Sequence, residues 1–340
     1  MKKISIMITS YNLEDYIDTS IQSVVEQDMP CDWELLVGDD GSTDRTVEHI
    51  NKWMGKYPEN IKLFTIPRDN DTQKVGSRAA RNRAYLLEQA TGDYLNYLDG
   101  DDCWLGTEKL KKQFELLESP EYANCSCCAH NIEAYVIPEN RRYLITNESV
   151  GNRVFQLNEY WKHFYFHTNT ILFRKECKEK LLDPIYRDFL NDNFITFLIL
   201  QYGDVIYLKD VWSRYNMTGN GLWTGNKKIY GLFRNLIYVD LEIRERPDLR
   251  DLILYRHYSV FMQIFTTYNY DAEFKTISPL ICNLSPQLFT LSSLLSRGAL
   301  LSDFESQQIH NLKKELKRIH IHRLYDRIIR KINQVLIRKK

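Results

Sequence analysis

Hydrophobic and polar positions alternate in two periods along the first hundred residues. Ile4-Ser5-Ile6-Met7-Ile8 is a short apolar run stopped by Thr9-Ser10-Tyr11-Asn12, which predicts a strand and a turn. Helical spacing follows, with Ile17, Ile21, Val24 and Val25 on one face and Asn12 placed to cap it. Trp33-Glu34-Leu35-Leu36-Val37 predicts a second strand. It runs into Gly38-Asp39-Asp40-Gly41-Ser42-Thr43-Asp44, where Ser42 is expected to cap a helix carrying Val47, Ile50 and Trp53. Ile61–Ile66 predicts a third strand and residues 76–90 an Ala- and Leu-rich helix. Tyr94–Leu98 predicts a fourth strand, stopped by Asp99-Gly100-Asp101-Asp102.

This βαβαβαβ order implies an α/β fold, a mostly parallel sheet with helices on both faces. Ligands of such sheets sit beyond the carboxyl ends of the strands. The turns after strands one, two and four are polar, and the last two are acidic, so they should converge on one edge. Past residue 120 the pattern loosens. Ala123–Ala129, Thr170–Phe173 and Val205–Leu208 are strand candidates. Asn158–Phe164, Lys175–Leu182 and Asp192–Gln201 are helix candidates. These elements predict one domain over 1–225 and a helical region over 226–340.

Composition changes this picture little. The 340 residues are 44% apolar and 26% charged, which fits a globular protein with a sizeable core. The formal net charge is zero, so no global field points to nucleic acid. The charge is unevenly spread, however. Residues 311–340 hold eleven Lys/Arg against two Asp/Glu, a net +9, and the rest carries −9. Within the tail 312–340, Ile321, Leu324, Tyr325, Ile328, Ile329, Ile332, Val335 and Leu336 share one helical face. Arg323, Arg327, Arg330, Lys331 and Arg338 lie on the other. Such a helix can lie on an anionic membrane surface, or dock its apolar face on the body or on a second subunit as a homodimer.

Seven cysteines, no apolar leader after Met1-Lys2-Lys3 and no run of about 20 apolar residues predict a reduced, cytoplasmic protein. Membrane contact would then be peripheral, on the inner face. Cys125-Ser126-Cys127-Cys128 near His130 has no second cysteine pair at zinc spacing, and small residues in a buried strand account for it better.

Asp99 and Asp101 carry the candidate chemistry. Two residues apart in extended chain, they point to the same side and can face one hard cation. Mn²⁺ or Mg²⁺ suits so sparse an oxygen site when phosphate oxygens complete the coordination. An acidic turn with a helix cap is the alternative.

In order and spacing, Thr9-Ser10-Tyr11-Asn12, Asp39-Asp40-Gly41-Ser42-Thr43-Asp44, Ala80-Arg81-Asn82 and Leu98-Asp99-Gly100-Asp101-Asp102 closely resemble the family 2 glycosyltransferases of GT-A fold. The resemblance covers roughly residues 1–220. It implies an inverting transfer of a sugar from a nucleotide diphosphate donor, with UDP the favoured nucleotide. The acceptor it implies is a glycan or lipid-linked glycan. Tyr11 would stack on the base with Thr9 beside it, Asp40 would contact the base, Asp99 the ribose, and Asp101 with Asp99 the cation. Asp102 resembles the third acidic position of the motif.

Arg78, Arg81 and Asn82 would face the nucleotide edge; a helix tied to neighbouring acidic turns is the alternative. The resemblance also places the general base at Asp192, with Asn191 where Glu is usual and Asp188 as second choice. An N-cap role is the alternative for Asp192. Arg214-Tyr215-Asn216-Met217-Thr218 and the following residues to Thr224 resemble a segment that folds over the diphosphate, with Trp223 as lid. Asn216 stands there for Arg and Thr218 for His; an ordinary surface loop is the alternative. His167 is a candidate for the acceptor side, or for packing.

Two other functions compete. A sugar nucleotidyltransferase would normally carry a glycine-rich triphosphate loop, and Thr9–Asn12 holds no glycine. A catalytically degenerate nucleotide-sugar-binding scaffold fits the departures at Asn191, Asn216 and Thr218.

Overall fold

The computed structural model describes residues 1–66, 77–157, 159, 166–218, 238–239, 241–250 and 253. The chain divides into two units, Met1–Asn226 and Lys227–Lys340. In the second unit the described residues are a few helical positions and a 3-10 turn at Pro247–Leu249. The tail 312–340, Trp223, His163 and most of the helix expected at Asn158–Phe164 lie outside the described residues.

The first unit is built on one sheet. Strands β1 (Lys3–Ser10), β2 (Asp32–Asp39), β3 (Ile61–Thr65) and β4 (Tyr94–Asp99) pair in parallel in the order β3-β2-β1-β4. Helices α1 (Ile17–Val25), α2 (Thr46–Lys56) and α3 (Ser77–Gln89) make the crossovers. A strand covered on both faces needs no polar alternation, which is why β1 and β2 read as continuous apolar runs. Ile4, Ile6 and Ile8 join Ile17, Ile21, Val24, Leu35, Val37 and Ile50 in one buried cluster. Met7 and Leu36 alternate with these residues and are also buried, and α3 packs on β1 and β2.

One charge breaks this apolar sheet. The Glu34 carboxylate accepts hydrogen bonds from Ser5 Oγ (2.7 Å), from the Thr91 N–H and hydroxyl (2.8 Å each) and from Lys3 Nζ (3.0 Å). Burial opposes its charge, yet these donors bring its pKa down to about 2. A carboxyl depressed in the folded state stabilises the fold above its unfolded pKa of about 4.3 and loses that contribution as pH falls towards 2. Glu34→Gln is expected to cost about 2–4 kcal/mol at neutral pH and to flatten the acid limb of a urea-unfolding series between pH 5 and about 2. An unchanged acid limb would assign that limb to other groups.

The sheet continues beyond β4 with mixed direction. Strand β5 is Cys103–Trp104, β6 Cys125–Val136, β7 Arg141–Leu144, β8 Arg153–Phe155, β9 Leu172–Arg174 and β10 Asp204–Met217. Strand β9 lies antiparallel between β4 and β6, and β10 runs parallel to β6. Strands β5 and β8 pair antiparallel with β10, and β7 with β6. Helix α4 (Lys109–Glu118) packs on β6.

Both β6 and β10 extend past their apolar stretches. Their outer halves are held by ladder hydrogen bonds and by ion pairs such as Arg214 Nε–Glu133 Oε1 (2.8 Å), which leave no hydrophobic signature. Register shifts near Val211 mark where the pairing of β10 with β6 is interrupted. Arg214–Met217 is therefore strand, not loop. Lys175–Leu182 is a 3-10 turn followed by one short helical turn rather than a full helix.

Candidate active site

Parallel register brings the strand ends together. Thr9 is aligned with Gly38 on one side and Asp99 on the other, and Ser10 with Asp39. The first two turns are then sewn to each other. Asn12, at φ 51°, uses its side-chain oxygen to accept the Thr43 N–H (2.8 Å), and its own N–H donates to Ser42 Oγ (2.9 Å). Asn12 and Ser42 thus bind each other's loops instead of capping helices. Residue Tyr16 precedes α1 and Arg45 precedes α2, neither with a side-chain cap. Asp39 accepts the N–H groups of Gly41 (3.0 Å) and Ser42 (2.9 Å). Tyr11, next in the chain after Ser10, is 38% exposed.

Helix α3 supplies four polar side chains. Arg78 grips buried Asp40, with Nη2 2.7 Å and Nε 3.0 Å from its Oδ1. Arg81 pairs with Asp188, with Nη2 3.3 Å from Oδ2. Asn82 Nδ2 donates to the Gly38 carbonyl at 2.7 Å. A Cβ on Gly38 would stand 2.0 Å from Asn82 Oδ1, so that contact requires glycine. Arg83, the fourth, bonds both oxygens of Asp99 through Nη2 at 2.8 Å.

The acidic turn has three distinct carboxylates. Asp99 also accepts the Thr9 hydroxyl (2.8 Å). Burial works against its charge, but the Arg83 guanidinium holds its carboxyl below the usual range. Gly100 donates its N–H to the Thr9 carbonyl at 2.9 Å. A Cβ there would sit 2.9 Å from that oxygen and 3.0 Å from Leu13, so the turn closes tightly only with glycine. Asp101 is pushed up to about 7, first by burial and then by the charge of Asp99. Asp102 is an internal strut. Its Oδ1 accepts the Asn216 N–H and its Oδ2 the Asn169 amide, both at 2.9 Å, and burial with the neighbouring Asp101 raises it well above the ordinary value. Asn216 also donates to the Asp101 carbonyl (2.7 Å), tying β10 to the acidic turn.

This donor set suits a hard divalent cation. Among the described residues no group of three or more His, Cys, Asp or Glu could enclose a metal. Asp99 and Asp101 can supply hard oxygens from one turn, and burial next to Asp99 disfavours the Asp101 charge until a cation compensates it. A pair of carboxylates leaves the remaining coordination positions to phosphate oxygens and water.

Asp192 opens the helix Asp192–Ile199 from the other wall. Asn191 caps that helix, its side-chain oxygen accepting the Phe194 N–H at 2.9 Å, which leaves the Asp192 carboxylate for other partners. Thr168 donates to its Oδ1 at 3.0 Å and Arg83 Nη2 lies 3.3 Å from the same oxygen. His167 Nε2 is 3.5 Å from Oδ2, and the His167 ring centroid lies 4.8 Å from that of Tyr215. Thr168 and His167 come from a 3-10 turn at Thr168–Thr170 that precedes β9. Sequence reasoning missed Arg83 and Thr168. Arg83 looks like one more arginine after Arg81-Asn82, and only its burial, at 8% exposure, sets it apart.

The fold is a GT-A sheet with its polar turns gathered at one edge. The model of the family described as glycosyl transferase family 2 matches residues 5–182, and the chain belongs to that family. The *Escherichia coli* protein named UDP-Glc:alpha-D-GlcNAc-diphosphoundecaprenol beta-1,3-glucosyltransferase WfgD is 34% identical over 156 residues, 44% of this chain and 57% of that protein. The chain spans 41, 43 and 38% of three other curated relatives. Among solved structures, Staphylococcus aureus TarS 1–349 in complex with UDP-GlcNAc superposes with a TM-score of 0.64 at 16% identity, covering 97% of this chain and 92% of that one. The *Pyrobaculum calidifontis* mannosyltransferase PcManGT, in complex with GDP-Man and Mn²⁺, gives 0.53 at 17% identity over 99% and 85%. At such identities the structural likeness speaks for the fold.

Proposed function

We propose that the chain is an inverting, metal-dependent glycosyltransferase that moves a sugar from a UDP-sugar to a hydroxyl of a glycan or lipid-linked glycan. The observation that carries this reading is the juxtaposition of Asp99 on β4 and Asp192 on the facing helix, both within 3.3 Å of Arg83 Nη2. In this reading Tyr11 stacks on the base, Thr9 lies beside it, and Asp40 takes a base N–H. Asp99 serves the ribose and Arg81 the nucleotide edge. Asp101 with Asp99 would hold Mn²⁺ or Mg²⁺, which when bound neutralises charge on the departing diphosphate. Asp192 takes the proton of the acceptor hydroxyl as that oxygen attacks the anomeric carbon opposite the nucleotide. The bond to the diphosphate breaks with its electron pair on the leaving oxygen, and a single displacement inverts the anomeric centre.

The UDP-GlcNAc complex of TarS and the diphosphoundecaprenol acceptor in the name of WfgD support the donor and acceptor classes. The deciding measurement is thermal unfolding with UDP-glucose, UDP-GlcNAc and GDP-mannose, each with Mn²⁺ or with EDTA. A UDP-sugar at a hundred times its Kd is expected to add about 2.7 kcal/mol with the metal. Stabilisation by GDP-mannose alone would overturn the UDP assignment, and none from any donor would overturn the function. Binding without UDP release or sugar transfer would favour the scaffold reading.

Among the described residues no helix is long and apolar enough to cross a membrane. The basic amphipathic tail is proposed to bring the enzyme to an anionic membrane on its cytoplasmic face, or to pair two copies. The full chain is expected to co-sediment with anionic liposomes and a 1–310 truncation to stay in solution. Equal binding by both, with a dimer lost on truncation, would assign the tail to pairing.

A further inference from the structure

Arg83 lies in the middle of α3 with 8% of its surface exposed. Burying a guanidinium costs several kcal/mol unless its donors are met, and an apolar residue often serves stability better. Here the donors are met selectively. Nη1 donates to the Leu190 carbonyl at 3.1 Å, just before the Asn191 cap. Nη2 bonds both oxygens of Asp99 at 2.8 Å and stands 3.3 Å from Asp192 Oδ1. Among the described residues Nε meets no acceptor. One terminal nitrogen is therefore shared by carboxylates from opposite walls of the site. The same side chain holds the backbone that leads into the helix bearing Asp192.

We propose that Arg83 is a positioning residue for the proton-transfer step: anchored on Asp99, its guanidinium fixes where the Asp192 carboxylate points and ties the base to the donor side of the site. The proposal rests on the reading of Asp192 as general base. Arg83 and Thr168 both engage Oδ1, so the rotation of the carboxylate is set and Oδ2 is left beside His167. Displacing a catalytic group by about 1 Å can cost on the order of a hundredfold in rate. Arg83 also bonds Asp99, so its part in proton transfer is the share of its effect on turnover that vanishes once Asp192 is lost.

The test is a double-variant cycle on Arg83→Gln and Asp192→Asn in the full chain. UDP release from UDP-GlcNAc and UDP-glucose is followed with Mn²⁺, water serving as acceptor. Crystal structures of the unaltered protein, Arg83→Gln and Arg83→Lys are compared without ligand. Arg83→Gln is expected to lower kcat about tenfold to a hundredfold. The double variant should be slower than Asp192→Asn alone by much less than the Arg83 factor, any remainder passing through Asp99, and Arg83→Lys should recover part of the loss. In the crystals the Asp192 carboxylate should shift by about 1 Å or more when the guanidinium is removed. Should Arg83→Gln fail to fold, Arg83→Lys takes its place in both arms. An Asp192 carboxylate unmoved in the variants, or a double variant slower than Asp192→Asn by the full Arg83 factor, would overturn the proposal alone. Should neither UDP-sugar be turned over, the crystallographic comparison decides it. Asp192→Asn turning over at the unaltered rate would instead remove the base assignment beneath it.

Discussion

Asp101→Asn is expected to abolish metal-stimulated sugar transfer while leaving the protein folded and more heat-resistant. The physical basis is the crowding of like charge in the acidic turn. Asp99, Asp101 and Asp102 are consecutive or nearly so, and the Arg83 hydrogen bonds go to Asp99. Burial and the charge of Asp101 push Asp102 towards its neutral acid, while the Asn216 N–H donated to it acts the other way. Asp101 is under-compensated, since burial and then Asp99 push its carboxyl up to about 7 against the weaker pull of Arg83. An acid raised above its unfolded pKa of about 3.9 weakens the fold increasingly as pH rises between those two values. Removing it in EDTA at pH 8 should raise stability, on the order of 1 kcal/mol. The same substitution should reduce transfer by about a thousandfold, close to 4 kcal/mol of transition-state stabilisation. Kinetics with Mn²⁺ and thermal unfolding with EDTA check the pair of effects. Retained metal-stimulated transfer would mean that the cation is held elsewhere.

Asp192→Asn is expected to lower transfer by about 10²–10⁴-fold with little loss of UDP affinity. The substitution keeps the side-chain shape and removes the negative charge, and with it the ability to take a proton. The helix it opens stays capped, because the cap belongs to Asn191 through its 2.9 Å bond to the Phe194 N–H. Loss of a negative charge at a helix N-terminus costs about 0.3–1 kcal/mol, so thermal unfolding should move little. Isothermal titration with UDP and Mn²⁺ separates the outcomes. A fall in UDP affinity matching the fall in transfer would assign Asp192 to donor binding rather than to proton transfer.

The parallel half of the first unit was legible because its signals are local. A strand buried on both faces must be apolar throughout, and a turn at its end must be polar, so Ile4–Ile8 with Thr9–Asn12 and Tyr94–Leu98 with Asp99–Asp102 announce themselves. Gly100 was legible as part of a motif, but its reason was not: it must fit against the Thr9 carbonyl, ninety-one residues earlier in the chain. The second half was harder. The outer parts of β6 and β10 pair through backbone hydrogen bonds and charged side chains, which no hydrophobic period records. The cysteines of β6 proved to be buried free thiols.

Asn191 and Asn216 show the limit most clearly. In the sequence each is a departure from a family pattern. In the fold Asn191 is a helix cap and Asn216 a strut bonded to Asp102 and to the Asp101 carbonyl. The Asn191 cap spans only three residues, whereas the bonds of Asn216 reach a turn more than a hundred residues away and are implied by no neighbour in the chain.

The sequence by itself determined the parallel α/β half, the acidic strand ends and the candidate carboxylates Asp99, Asp101 and Asp192. The sheet and its acidic ends depend on periodicity and residue type, which are properties of a stretch of chain, whereas Asp192 was named by the family resemblance. Only the tertiary structure decided how the carboxylates divide. It put Arg83 between Asp99 and Asp192, sealed Asp102 behind Asn169 and Asn216, and left Asp101 buried beside the like charge of Asp99. Charge pairing depends on distances between elements far apart in sequence, and those distances exist only once the sheet has closed its register.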